Sequence, residues 1–112
     1  MKAATEQHLV NACLQLLRLP GVPCWRQTHG ALTGIRGDKR LFVRFSTMLG
    51  VSDILGVLTD GRFLACECKR PGNKPSPEQA AFLSAVDAAS GLALVVHDVR
   101  ELEKALEREH QR

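Results

Sequence analysis

Gly50-Val51-Ser52-Asp53-Ile54-Leu55-Gly56-Val57-Leu58-Thr59-Asp60-Gly61-Arg62-Phe63-Leu64-Ala65-Cys66-Glu67-Cys68-Lys69 has the pattern of a β-hairpin with charged residues at its open end. Ile54 to Leu58 is a short apolar, partly β-branched run, Thr59-Asp60-Gly61 is a turn signal, and Arg62 to Lys69 returns as a second strand. Successive side chains of a strand point to opposite faces, so Glu67 and Lys69 share one face while Cys66 and Cys68 take the other. A Glu and a Lys beside Leu64, Ala65 and Cys66 need an explanation, because ionised groups are costly to bury unless they are paired or bind a metal. Asp53 and Glu67 lie nearly equidistant from the turn, so an antiparallel pairing brings them together.

An Asp and a Glu converging on one point suit magnesium, a hard ion that takes one or two carboxylates and keeps several waters. Lys69 would then be placed to orient or deprotonate an attacking water, or to neutralise charge building on a phosphate. The plainer reading of the same letters is an Asp at a strand start followed by an exposed Glu-Lys edge.

Upstream, Thr5 is placed to cap a helix running to about Leu19 and ended by Pro20-Gly21. Leu9, Val10, Cys13, Leu16 and Leu17 follow helical spacing, and Glu6 projects from the face of Val10, Cys13 and Leu17. That carboxylate either favours the helix dipole from the first turn or points into a cleft. A loop containing Trp25 follows, and then a first strand near Arg40 to Phe45. Downstream, the breakers Pro71-Gly72-Asn73-Lys74-Pro75 lead into Ser76-Pro77-Glu78-Gln79 and a helix to about Ala89. Gln79 completes a capping box with Ser76, yet it also shares a face with Phe82, Leu83 and Val86, from which a long amide could reach the proposed site. Leu92 to Val96 is a continuous apolar run, read as a strand buried on both faces. Asp98 with Glu101 opens a closing helix, and the polar tail from Glu107 to Arg112 is expected to fray. The order is α-β-β-β-α-β-α, an α/β fold with a mixed central sheet flanked by helices.

With 112 residues the chain reads as one domain, 1–112, and 45% hydrophobic with 24% charged residues is a globular composition. It carries neither an apolar stretch of membrane-spanning length nor the apolar segment of a signal peptide, so no membrane association and an intracellular location are expected. Cys13, Cys24, Cys66 and Cys68 lack paired zinc-ligand spacing and read as small core residues. The net charge of +3 is unevenly spread. Arg26, Arg36, Lys39, Arg40, Arg44, Arg62, Lys69, Arg70 and Lys74 face only Asp38, Asp53, Asp60 and Glu67 across the middle of the chain, while the flanking helical segments carry an acidic excess. A phosphate backbone is the natural partner of such a patch, whose candidate DNA contacts are Arg26, Arg36, Lys39, Arg40, Arg44, Arg70 and Lys74. His29 reads as an ordinary loop residue, with nucleic-acid contact as the sharper alternative.

Gly50-Val51-Ser52-Asp53 and Glu67-Cys68-Lys69, with Ser76-Pro77-Glu78-Gln79 after them and Cys24-Trp25-Arg26-Gln27-Thr28-His29-Gly30 before, resemble the virus-type replication-repair nuclease (VRR-NUC) domain of the PD-(D/E)XK superfamily in its stand-alone form. The resemblance spans nearly the whole chain and implies a restriction-endonuclease-like core. It implies metal ligation by Asp53, Glu67 and the backbone carbonyl of Cys68, a catalytic Lys69, a helical Gln79, and Glu6 as an outer-shell ligand. Ser52 stands where the superfamily name has Pro. The implied activity is Mg2+- or Mn2+-dependent hydrolysis of phosphodiester bonds in DNA, with branched or Holliday-junction DNA as the preferred substrate and a homodimer as the active species. Flaps, nicks or duplex ends are the alternative substrates, and a non-cutting DNA-binding module of the same fold is the alternative function. A dimer interface is expected around Trp25, Leu32, Ile35, Met48 and Leu49, read as loop residues. The resemblance also implies a cytoplasmic or nucleoid-associated protein and suggests a phage or mobile-element origin.

Overall fold

Helix α1 (Glu6–Arg18) begins where expected: the Thr5 side chain accepts a hydrogen bond from the His8 N–H at 3.2 Å. Val10, Cys13, Leu14 and Leu17 form its buried stripe. The chain is seen here in a computed structural model that describes residues 5–27, 31–36, 39–44 and 48–111, the side chains of 31–36 and 39–44 excepted. Strands β1 (Cys24–Arg26), β2 (Ala31–Arg36), β3 (Lys39–Arg44), β4 (Ile54–Val57) and β5 (Phe63–Cys68) follow α1. Helix α2 (Pro77–Ala88), strand β6 (Leu92–Val96) and helix α3 (Val99–His110) complete the chain.

The protein is an α/β fold built on an open, mixed four-stranded sheet in the order β1-β4-β5-β6. β4 runs antiparallel to both β1 and β5, and β6 lies parallel to β5. The tight Thr59-Asp60-Gly61 turn can only return the chain antiparallel, whereas the crossover through α2 delivers β6 in the same direction as β5. Arg62 staples the turn at one end of the sheet, reaching Asp60 at 2.8 Å and Glu109 of α3 at 2.7 Å.

The sequence expectations for the strands are corrected. The sheet's first strand is β1, in the segment read as the Trp25 loop; the strand read at Arg40 to Phe45 is β3, paired with β2 in a separate two-stranded sheet. The order therefore carries five strands before α2, and Leu32 and Ile35 belong to β2 rather than to a loop. Strand β6 is an edge strand whose residues Leu92 to Val95 are only half-buried, because its one neighbour is β5. The tail from Glu107, expected to fray, is helical to His110, and Glu109 pairs with Arg62.

Helices cover both faces of the sheet. On one face, Ile54, Leu64, Cys66 and Cys68 pack with Val10, Cys13, Leu14 and Leu17 of α1 and Leu102 of α3. On the other, Leu55 and Ala65 pack with Val51 and with Leu83 and Val86 of α2. Side-chain alternation along β5 thus assigns Glu67, two residues beyond Ala65, to the α2 face.

Candidate metal and active site

The register of the β4–β5 hairpin places Ile54 opposite Cys66, which sets Asp53 and Glu67 abreast at the next step. Their contact is reciprocal. The Asp53 N–H donates to Glu67 Oε1 at 3.3 Å, and the Cys68 N–H donates to Asp53 Oδ2 at 2.9 Å. Each carboxylate is therefore fixed by a backbone amide of the opposite strand, which locks the separation of the two side chains to the hairpin itself.

Glu67 is the most constrained member, with 1% of its surface exposed. Lys69 lies two residues further along the same face, its Nζ 3.5 Å from Glu67 Oε2. Gln79 makes the capping contact and also reaches Glu67. Its Oε1 accepts from the Ser76 N–H at 2.8 Å in the capping box, and its Nε2 donates to Glu67 Oε2 at 2.8 Å. With the oxygen of the planar amide tied to the helix cap, the NH2 group is aimed at the sheet. The α2 N-terminus thereby becomes a fixed donor at the buried carboxylate.

Burial, and next the Asp53 carboxylate alongside, push the Glu67 pKa up to about 7, with Lys69 pulling the other way. A carboxyl lifted this far, first by burial and then by a neighbouring carboxylate, is one whose charged form a cation at this point would favour. The oxygen chemistry of Asp53 and Glu67 matches the needs of a hard divalent ion, and each carboxylate oxygen has two lone-pair directions, so the amide bonds leave room for coordination. Among the described residues no group of three or more His, Cys, Asp and Glu side chains is arranged to hold a metal. The donors in question are a pair of carboxylates, with the third protein ligand of the sequence reading being the Cys68 backbone carbonyl.

Glu6 sits at the same end of β5 but on the α1 side, its Oε2 accepting from the Arg70 N–H at 3.5 Å. Together with His8, Arg70, His97 and Asp98 it rims a cleft of about 340 Å3. Arg26, Arg70 and Lys74 are exposed, on β1 and on the loop between β5 and α2. Arg36, Lys39, Arg40 and Arg44 lie on the β2–β3 ribbon, where only the backbone is described, and His29 lies outside the described residues.

His97 has a part that sequence reasoning missed: its Nδ1–H donates to the Lys69 carbonyl at 3.2 Å, while the Lys69 N–H donates to the Val96 carbonyl at 3.0 Å. Lys69 is thus gripped on both sides by the end of β6. The only signal in the sequence is the position of His97, directly after a strand that turns out to run beside β5.

Cys13, Cys66 and Cys68 are buried on the opposite face, and all four cysteines are free. Contact with the Cys13 thiol, together with burial, pushes Cys66 and Cys68 above the ordinary thiol range, so they stay protonated and act as packing. Ser52 is also buried, and its Oγ has no hydrogen-bond partner among the described residues.

Among the described residues no helix is long and apolar enough to cross a membrane. Comparison with protein-family models, with curated proteins and with solved structures finds no match for this chain.

Proposed function

We propose that this protein is a small magnesium- or manganese-dependent endodeoxyribonuclease of the VRR-NUC type, with a PD-(D/E)XK core, acting on branched DNA inside the cell. The observation that carries this reading is Glu67: a carboxyl almost without solvent, clamped by the Asp53 amide, contacted by Gln79 and flanked by Lys69. A fold gains nothing in stability from such a group, since burying a carboxylate beside another carboxylate costs free energy that an apolar residue would not. Its placement is accounted for by chemistry.

Asp53, Glu67 and the Cys68 carbonyl would hold the ion, which when bound polarises a phosphate and acidifies water. The chain's own groups supply the rest. Asp53 and Glu67 are held at fixed separation by the hairpin amides, so no reorganisation is needed when substrate arrives. Gln79 keeps Glu67 oriented. Lys69, immobilised through its backbone by Val96 and His97, presents a positive charge beside Glu67 where negative charge builds on a phosphate. Exposed Arg26, Arg70 and Lys74 at this end of the molecule, with Arg36, Lys39, Arg40 and Arg44 on the ribbon, would bind phosphates and so read the shape of DNA rather than its sequence. A homodimer would supply the paired cuts that a junction needs, and Trp25, Met48 and Leu49, which are 44%, 58% and 60% exposed, are the candidate contact surface.

The decisive experiment is a cleavage assay on four-way junction, flap and linear duplex, with magnesium and with chelator, alongside light scattering. Cutting of the junction that requires magnesium is expected. Cutting of flaps or ends alone would move the substrate, and tight metal-independent binding without cutting by the wild-type chain would make it a DNA-binding module. Lys69→Ala is expected to slow single-turnover cleavage far more than it weakens DNA binding.

A further inference from the structure

Gly50, in the segment carrying Asp53, lies against the backbone of the first turn of α2. It has φ +78°, and a Cβ built on it would fall 2.2 Å from the Glu78 carbonyl oxygen and 2.7 Å from the Gln79 nitrogen. Both neighbours are main-chain atoms of the first turn of α2, so they cannot swing aside as a side-chain tip could. Any L-residue here meets two obstacles: a left-handed backbone, and a helix terminus occupying the space of its Cβ. The next residue, Val51, is buried against Leu83 and Val86, which presses the same segment onto the body of α2.

The contacts close a ring. Gly50 seats the first turn of α2; that turn carries Gln79; Gln79 Nε2 holds Glu67 Oε2 at 2.8 Å; Glu67 Oε1 accepts from the Asp53 N–H; and Asp53 returns through Ser52 and Val51 to Gly50. A side chain at 50 would lift the α2 N-terminus away from the sheet. A bond of 2.8 Å does not survive displacement of the kind a 2.2 Å approach would force.

We propose that Gly50 is a positioning residue of the metal site: its missing side chain sets the depth at which α2 is seated, and through Gln79 it fixes the Glu67 carboxylate in the geometry that accepts the ion. This rests on the reading that Asp53 and Glu67 hold the ion. The role is distinct from turn formation, because a turn would need only the positive φ and would be indifferent to the close approach of Glu78.

The test is a double-mutant cycle read by Mn2+ affinity and by the Gln79 side-chain amide signals in 15N-labelled protein. Loss of an outer group that orients a ligand costs about tenfold or more in metal affinity. Gly50→Ala is expected to weaken Mn2+ binding by about that factor and to release the protected Gln79 NH2 signals into fast exchange. Gln79→Ala is expected to weaken binding equally, and the double variant no further, since both changes break one linkage. The amide measurement is repeated for Gly50→Ala in the Glu67→Gln background, where the buried charge is gone and the fold has stability to spare. Wild-type Mn2+ affinity in Gly50→Ala, additive losses in the cycle, or Gln79 signals still protected in that background would each overturn the proposal. So would a chain that fails to fold in both backgrounds, since the role would then be global. If the wild-type chain bound no Mn2+ at all, the metal reading would fall, while the amide signals would still decide whether Gly50 seats Gln79.

Discussion

Strand β5 has two faces buried to the same degree for opposite reasons. Leu64, Cys66 and Cys68 meet α1 and α3 in an apolar layer, whereas Ala65 and Glu67 meet α2 with a carboxyl among the apolar groups. On the first face burial is itself the driving force, about 1.5–3 kcal/mol for a side chain such as Leu64. On the second it is a cost, offset only in part by Lys69, Gln79 and the Asp53 amide. One strand thus carries stability on one side and a buried carboxyl on the other, and the alternation of a β-strand keeps the two apart.

The comparison breaks most sharply by deleting the charged member. Glu67→Ala is expected to cut magnesium-dependent cleavage by roughly a thousandfold or more, about 4 kcal/mol of transition-state stabilisation, while leaving the circular dichroism of the folded chain unchanged. Single-turnover kinetics on a junction substrate would check it. Near wild-type turnover would remove Glu67 from the site. On the opposite face, Leu64→Ala should do the reverse, costing about 2–5 kcal/mol in denaturant unfolding while the protein that remains folded keeps its Mn2+ affinity.

Titration sharpens the same contrast. The Glu67 pKa is raised from 4.5 to about 7 in the folded chain, so the folded state holds this proton more tightly than the unfolded one. The stability it contributes is complete below about pH 4.5 and is lost as pH rises through about 7, a change on the order of 3 kcal/mol. Unfolding followed between pH 4 and 8 without divalent ions should therefore show a falling contribution that Glu67→Gln abolishes, leaving the variant more stable than wild type at pH 8. A pH dependence identical in the two proteins would mean that Glu67 ionises as an ordinary exposed carboxyl.

The smallest expected effect concerns Ser52, whose buried hydroxyl has no hydrogen-bond partner among the described residues. Removing a buried hydroxyl of this kind relieves desolvation, so Ser52→Ala is expected to be stabilising by about 1 kcal/mol. A loss of the same size in thermal or denaturant unfolding would show that the hydroxyl is engaged.

The hairpin was legible because turn chemistry and alternation agree: Asp60-Gly61 fixes the centre, and the register that follows brings Asp53 and Glu67 together. The helix starts at Thr5, Ser76 and Asp98 were legible for a similarly local reason, each cap being a side chain that satisfies an amide within the first turn. Strand β1 was not, since three residues after Pro23 are too few to show a period, and what makes Cys24–Arg26 a strand is its pairing with β4. Strand β6 misled in a different way. Its apolar run reports that both faces are covered by helices, but hydropathy carries no information about the edge, and the edge is open. The second bond of Gln79 and the grip of His97 on Lys69 depend on how elements distant in sequence stack, which no local pattern encodes.

The thiols give the molecule a built-in reporter of its own opening. Cys24 is partly buried, whereas Cys13, Cys66 and Cys68 have no accessible surface and join α1 to the face of β5 turned away from Glu67. A thiol reagent should modify Cys24 from the native state, but it can reach the other three only during excursions that part α1 from β5. The slow labelling phase thus measures the free energy of that separation, and an ion held at Glu67 on the far side of the same strand would be felt there as slower modification, reported through the thickness of a single β-strand.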